Sequence, residues 1–137
     1  MSKHFHAIVW IDHREAKVFH FNSTEVERTD VRSAHPDVHI HHKANSGDSG
    51  HAPVDNDFLK RVTEALSHAG AILITGPANA KTELATYIKR VNPKLSERIS
   101  AVQSVDHPTD GNLLALGRSF FKADDRMHAQ AHSESQG

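Results

Sequence analysis

Two short runs in this chain are apolar at every position: Ile8, Val9, Trp10 and Ile11 near the start, and Ala71, Ile72, Leu73 and Ile74 near the middle. Runs of this length, apolar on both faces, predict strands buried inside a sheet. The second run stops at Thr75-Gly76-Pro77. Glycine there supplies unusual backbone angles, and proline has no N–H for the ladder. Asn79 is placed to N-cap a helix over 82–91 with Leu84, Ile88 and Val91 inward, and Asn92-Pro93 stops it.

The remaining pattern fills in around these two strands. Residues 5–11 form the first strand, a short polar connector follows at Asp12-His13-Arg14-Glu15, and 16–21 resume as a strand, which predicts a hairpin. After a turn at Asn22-Ser23-Thr24, residues 25–31 place Val26 and Val31 among charges, the mark of an exposed third strand that could continue through 38–41. Residues 42–57 are rich in Gly, Ser and Asn without an apolar period and read as a long loop. A helix follows with Phe58, Leu59, Val62, Ala65, Leu66 and Ala69 in one stripe, Asp55 or Asp57 favouring its start and Gly70 its end. Residues 93–98 form one further helical turn, 99–105 a strand, and 112–121 a last helix with Leu113, Leu116 and Phe120 on one face. From 123 to 137 the chain is polar, lacks a period and reads as a disordered tail.

Strands joined through helices must pair in parallel, whereas the first three are joined by tight turns. The expected architecture is therefore one α/β domain over 1–122. Its mixed sheet has about five strands, the first three antiparallel and then parallel βα units, with helices on both faces and a ribonuclease-H-like topology.

Composition narrows the function classes. The chain of 137 residues has no cysteine, so disulfides, thiolate zinc sites and a cysteine nucleophile are excluded. A formal net charge of -1 gives no global attraction to nucleic acid, so any such binding must be local. No apolar run approaches the ~20 residues of a membrane helix, and the start has no signal-peptide layout, which leads us to expect a cytoplasmic protein.

The anomaly is histidine. Of 13, five fall at positions 35, 39, 41, 42 and 51. His39 and His41 would share a strand face and, with His35 or His51, could hold Zn²⁺ as in a metal-dependent hydrolase. Against this, no carboxylate or Cys stands at a recognised ligand spacing. A second reading is phosphate contact: His42 and Lys43, with Lys60 and Arg61 on the next helix, make a basic edge that would position RNA without reading its sequence. Gly76 to Lys81 is not a P-loop, having one Gly and a Pro, although Lys81 leaves an anion contact open at that helix start. Asp12 invites comparison with two-metal nucleases but reads as a turn residue. Ser104, Asp106 and His107 lie too close in sequence for a nucleophilic triad. The exposed third strand is also an edge through which a structural adaptor could form a homodimer.

Several strings, taken in order, resemble the central domain of the archaeal and eukaryotic class-1 translation release factors and Pelota. A hairpin and third strand lead into a long loop and a helix. Then come Ala71-Ile-Leu-Ile-Thr-Gly-Pro-Ala-Asn-Ala-Lys81, the stretch from Leu95 to Ile99, and Val105-Asp106 with Asp110-Gly111-Asn112 before the last helix. The resemblance covers roughly residues 5–121 and implies a ribosome- or tRNA-binding role in rescue or dormancy. Release factors carry Gly-Gly-Gln in the long loop; here Asn45-Ser-Gly-Asp-Ser-Gly-His51 supplies Gly47, Gly50 and His51 but no Gln. That departure agrees with the Pelota branch, which acts without ester hydrolysis, and implies a free-standing, non-hydrolytic middle domain.

Overall fold

The computed structural model describes residues 5–33 and 55–122. Five strands, β1 (His6–Ile11), β2 (Glu15–Phe21), β3 (Val26–Arg32), β4 (Ala71–Gly76) and β5 (Ile99–Ser104), form one sheet in the order β3-β2-β1-β4-β5. β1 pairs antiparallel with β2 and parallel with β4; β3 adds antiparallel to β2 and β5 parallel to β4. The helices are α1 (Asn56–Leu66), α2 (Ala80–Val91), the short α3 (Pro93–Ser96) and α4 over 110–122. The described residues fall into two compact units divided between His107 and Pro108. None of the described helices is long and apolar enough to cross a membrane.

Both hairpins close with the same device. The Asp12 carboxylate accepts from the N–H groups of Arg14 (2.8 Å) and Glu15 (2.9 Å), and the Asn22 side-chain carbonyl accepts from those of Thr24 (2.9 Å) and Glu25 (2.7 Å). A side chain that mimics the backbone turn sets the loop length and hence the strand register. Asp12 is thus a turn residue.

The alternation of the strands divides the sheet into two buried faces. Ala7, Val9, Ile11, Ala16, Val18, Ile72 and Ile74 pack with Phe58, Leu59, Val62 and Leu66 of α1, Leu84 and Ile88 of α2, and Leu95 of α3. On the other face Ile8, Trp10, Phe19, Phe21 and Leu73 are also buried. β3 is the exposed edge, with only Val31 buried and an Arg28–Asp30 ion pair at 2.9 Å on its outer part. Charges of this kind discourage a second chain from adding to an edge. The second unit presents α4, whose first turn is capped by Thr109: its hydroxyl accepts from Asn112 N–H at 3.1 Å.

The parallel joint between β1 and β4 includes a close approach of the two backbones. A Cβ on Gly76 would lie 2.2 Å from the Ile11 carbonyl oxygen, so only glycine lets the two backbones approach. Gly76 remains inside β4, and close approach, more than a turn, is what it serves. Thr75 Oγ1 donates to the Val9 carbonyl at 2.9 Å, and Val105 N–H donates to the Gly76 carbonyl at 3.0 Å, so β4 is held on both sides at its carboxyl end.

The exit from β3 and the entry to α1 are tied together. Asp55 is the N-cap of α1, with Oδ1 accepting from Phe58 N–H at 3.0 Å and Oδ2 from the buried Ser33 hydroxyl at 2.7 Å. Ser33 N–H donates to the Arg14 carbonyl (2.9 Å), and Arg61 Nη2 donates to the Arg32 carbonyl (2.7 Å).

Four details differ from the periodicity reading. α1 ends at Leu66 because Ser67, through both N–H and hydroxyl, satisfies the Glu64 carbonyl; Gly70 instead donates to the Phe5 carbonyl. α2 starts at Ala80 and Asn79 makes no side-chain cap bond. Val91 is 46% exposed, at the end of α2 where the chain turns into α3. On α4 the buried stripe is Leu113, Gly117 and Phe121, a strict spacing of four, and Leu116 and Phe120 flank it half-buried.

Gly76→Ala is expected to cost about 3 kcal/mol or more, since backbone must move to admit the methyl; urea unfolding measures it. Asp55→Ala should lose about 2 kcal/mol, from the helix cap and from the lost bond to the Ser33 hydroxyl. A double-mutant cycle with Ser33→Ala then returns a coupling of about 1 kcal/mol, and additivity would show the bond to be worthless. His20 gives a pH dependence. Burial holds its imidazole below the ordinary value, opposed by Glu27 and a hydrogen bond to the Ala65 carbonyl, and assisted by His68. In the unfolded chain the ring takes up a proton as pH falls through about 6.5. Stability is therefore lost from that pH downward until the folded ring also protonates. Thermal melts between pH 7.5 and 5 are expected to show a smaller decline for His20→Asn than for the native chain.

Candidate functional site

Of the long loop expected over residues 42–57, only residues 55–57 are described, and the described chain on its other side ends at Ser33. His39, His41, His42, Lys43, Gly47, Gly50 and His51 all lie outside the described residues. What the structure supplies is the described chain on either side of them. The Asp55 carboxylate bridges Ser33 and the first turn of α1, and the Arg61 guanidinium bridges the end of β3 and Asp57 (Nε to Oδ2, 3.1 Å).

The three described cations from the sequence reading take different positions. Lys60 is exposed on α1. Arg61 braces the loop base, and its side chain is 39% exposed. Lys81, in the first turn of α2, donates to the Ala78 carbonyl of the preceding turn. The structure thus brings Arg61 to the end of β3, leaves Lys60 exposed on α1, and uses Lys81 in the β4–α2 connection.

Other candidate chemistries find no support in the described geometry. Among the described residues no group of three or more His, Asp or Glu side chains is arranged to hold a metal ion. His107 Nδ1 lies 3.1 Å from Asp106 Oδ1, but both side chains are exposed and no hydrogen bond joins them to Ser104. His13 Nε2 lies 3.2 Å from Glu83 Oε1, which links the first hairpin to α2.

Sequence reasoning missed a polar cleft of about 380 Å³ at the carboxyl ends of the strands, lined by Trp10, Asp12, Arg14, Glu15, Arg32, Ser33 and His107. Trp10 reads from sequence as core, and it is 3% exposed. Its indole N–H, however, donates to the Asp106 carbonyl (2.8 Å) and the Val105 carbonyl (3.3 Å), and the imidazole of His107 packs on it with centroids 5.3 Å apart. Lys17 Nζ lies 5.8 Å from the indole centroid. The signal in the sequence was positional: Trp10 and His107 stand at or just past the carboxyl ends of two strands in the parallel part of the sheet, where α/β folds bind ligands.

No protein-family model and no curated protein sequence matches this chain. Solved structures do. Pelota from Archaeoglobus fulgidus superposes with a TM-score of 0.65 at 13% identity, over 98% of this chain and 38% of its own. Pelota from Thermoplasma acidophilum gives 0.55 at 17% identity, over 78% of this chain and 30% of its own. The archaeal translation termination factor aRF1 gives 0.55 at 13% identity, over 96% and 42% respectively. The chain spans less than half the length of each of these proteins. Its five-stranded sheet with the associated helices is the fold of one domain of Pelota and of the archaeal termination factor, as the resemblance of its motifs implies.

Proposed function

We propose that this chain is a translation-associated module that binds the ribosome, or tRNA on it, in ribosome rescue or dormancy, and hydrolyses nothing. The observation that carries this reading is the fold: nearly the whole chain superposes on one domain of Pelota and of a termination factor. The contacting element is the loop of residues 42–57, next to the Ser33–Asp55 bond and the Arg61 brace of the described chain. Its His42, Lys43 and His51, together with Lys60 on the adjoining helix, supply charge for phosphate oxygens; Gly47 and Gly50 let the backbone come close to RNA. The absence of a Gly-Gly-Gln triplet anywhere in the sequence supports binding without peptidyl-ester cleavage.

Binding of this kind is electrostatic, because each phosphate contact releases counterions. In sucrose gradients the chain is expected to sediment with ribosomes at about 50 mM salt and to move to the top of the gradient at about 200 mM. Lys43→Glu with Lys60→Glu should abolish co-sedimentation at the lower salt while leaving the melting temperature unchanged. Incubation with peptidyl-tRNA-loaded ribosomes should release no peptide. Sedimentation at the top under both conditions, or measurable peptide release, overturns the reading.

A further inference from the structure

The connections of this sheet diverge between β1 and β4: β1 leads to β2 and β3 on one side, and β4 leads to β5 on the other. Ligands of open α/β sheets bind outside the carboxyl ends of strands at such a point. The cleft of about 380 Å³ opens at that end.

Three of its features fit one kind of ligand. The first is an aromatic platform. Trp10 is fixed from below by its two hydrogen bonds to the backbone after β5, and His107 lies on it at an interplanar angle of 53°. The His107 side chain is 69% exposed, so the ring face away from Trp10 is open to solvent. The second is cationic. Among the described residues the Arg14 guanidinium has no ion-pair partner, and Arg32, 79% exposed, meets only Glu15 at 3.8 Å. The third is the disposition of the carboxylates. Asp12 Oδ1 is turned to the Arg14 and Glu15 N–H groups and the Glu15 carboxylate lies by Arg32, so among the described residues neither carboxylate pairs with the Arg14 guanidinium.

We propose that this cleft binds one unpaired nucleotide of RNA, the base stacked on the outer face of His107 and the phosphate held by Arg14 and Arg32. The choice of RNA as the polymer rests on the ribosome-binding reading. The site itself rests on the platform and the two guanidiniums. A planar ring over a rigid aromatic floor accepts any base, so the cleft is indifferent to sequence. Duplex RNA, whose bases are stacked and paired, cannot present one to it. The cleft shares Arg32 and Ser33 with the hydrogen bonds that tie the end of β3 to α1.

Trp10 is the only tryptophan, so its emission reports on this cleft alone. The full chain is titrated at low salt with a mixed-sequence single-stranded hexaribonucleotide and, separately, with a duplex of the same sequence. A saturable change in Trp10 emission is expected with the single strand and none with the duplex. His107→Ala should weaken binding about fivefold or more, as loss of a base-stacking aromatic does, whereas His107→Phe should restore it. Arg14→Ala with Arg32→Ala should weaken binding and reduce the slope of log K against log salt by about 0.7, one single-strand phosphate. Glu15→Gln should tighten binding. Unchanged emission with the single strand, or His107→Ala binding as tightly as the native chain, overturns the proposal. Oligonucleotide binding without ribosome co-sedimentation upholds the cleft and overturns the ribosome reading; co-sedimentation without an oligonucleotide response does the reverse.

Discussion

The parallel pairing of β1 with β4 is the constraint on which the molecule depends. It joins an N-terminal meander to a pair of βα units that are far away in sequence, and it does so through a backbone contact that leaves no room for a side chain at Gly76. Once that joint is made, the carboxyl ends of β1, β4 and β5 come to one edge. Val105 can then bond to Gly76, and the backbone beyond β5 can accept the Trp10 indole N–H. The apolar faces on both sides of these strands supply the burial that makes the joint favourable.

The same edge collects the polar features of the chain. Arg32 is shared by two structures: its carbonyl is a fixed point for the Arg61 brace, and its side chain looks into the cleft beside Glu15. Ser33 is shared likewise, with its hydroxyl on Asp55 and its N–H on Arg14. The loop base and the cleft are therefore one contiguous surface, built on the β1–β2 turn and the end of β3.

Much of the fold was legible in the sequence because its signals were local and strong. The all-apolar runs at Ile8 to Ile11 and Ala71 to Ile74 could be satisfied only by strands buried on both faces, and the Asp12 and Asn22 turns announced the meander. The misreadings came where two local signals competed. Gly70 looked like the end of α1, but Ser67 closed the helix first. Leu116 and Phe120 looked as apolar as the residues that α4 buries, yet only Leu113, Gly117 and Phe121 fall in one row. The clamp between Ser33 and Asp55 was not legible at all, since a hydrogen bond across a long loop leaves no periodicity. Trp10 was read correctly as buried, but its pairing with His107 required knowing that β1 and β5 end together. The histidine-rich segment is legible only as composition.

The two Asx-type turns also set an order of assembly. Strands joined by turns of this length meet after a minimal loss of chain entropy, whereas β1 can find β4 only after the long segment and α1 between them have been spanned. Local pairing forms fast and distant parallel pairing slowly, so the meander should exist as a template before the βα units dock on it. During synthesis the strand that will lie at the centre of the sheet would therefore wait with one edge bare. Occupying that vacancy promptly is what separates productive folding from misassembly in a molecule of this design.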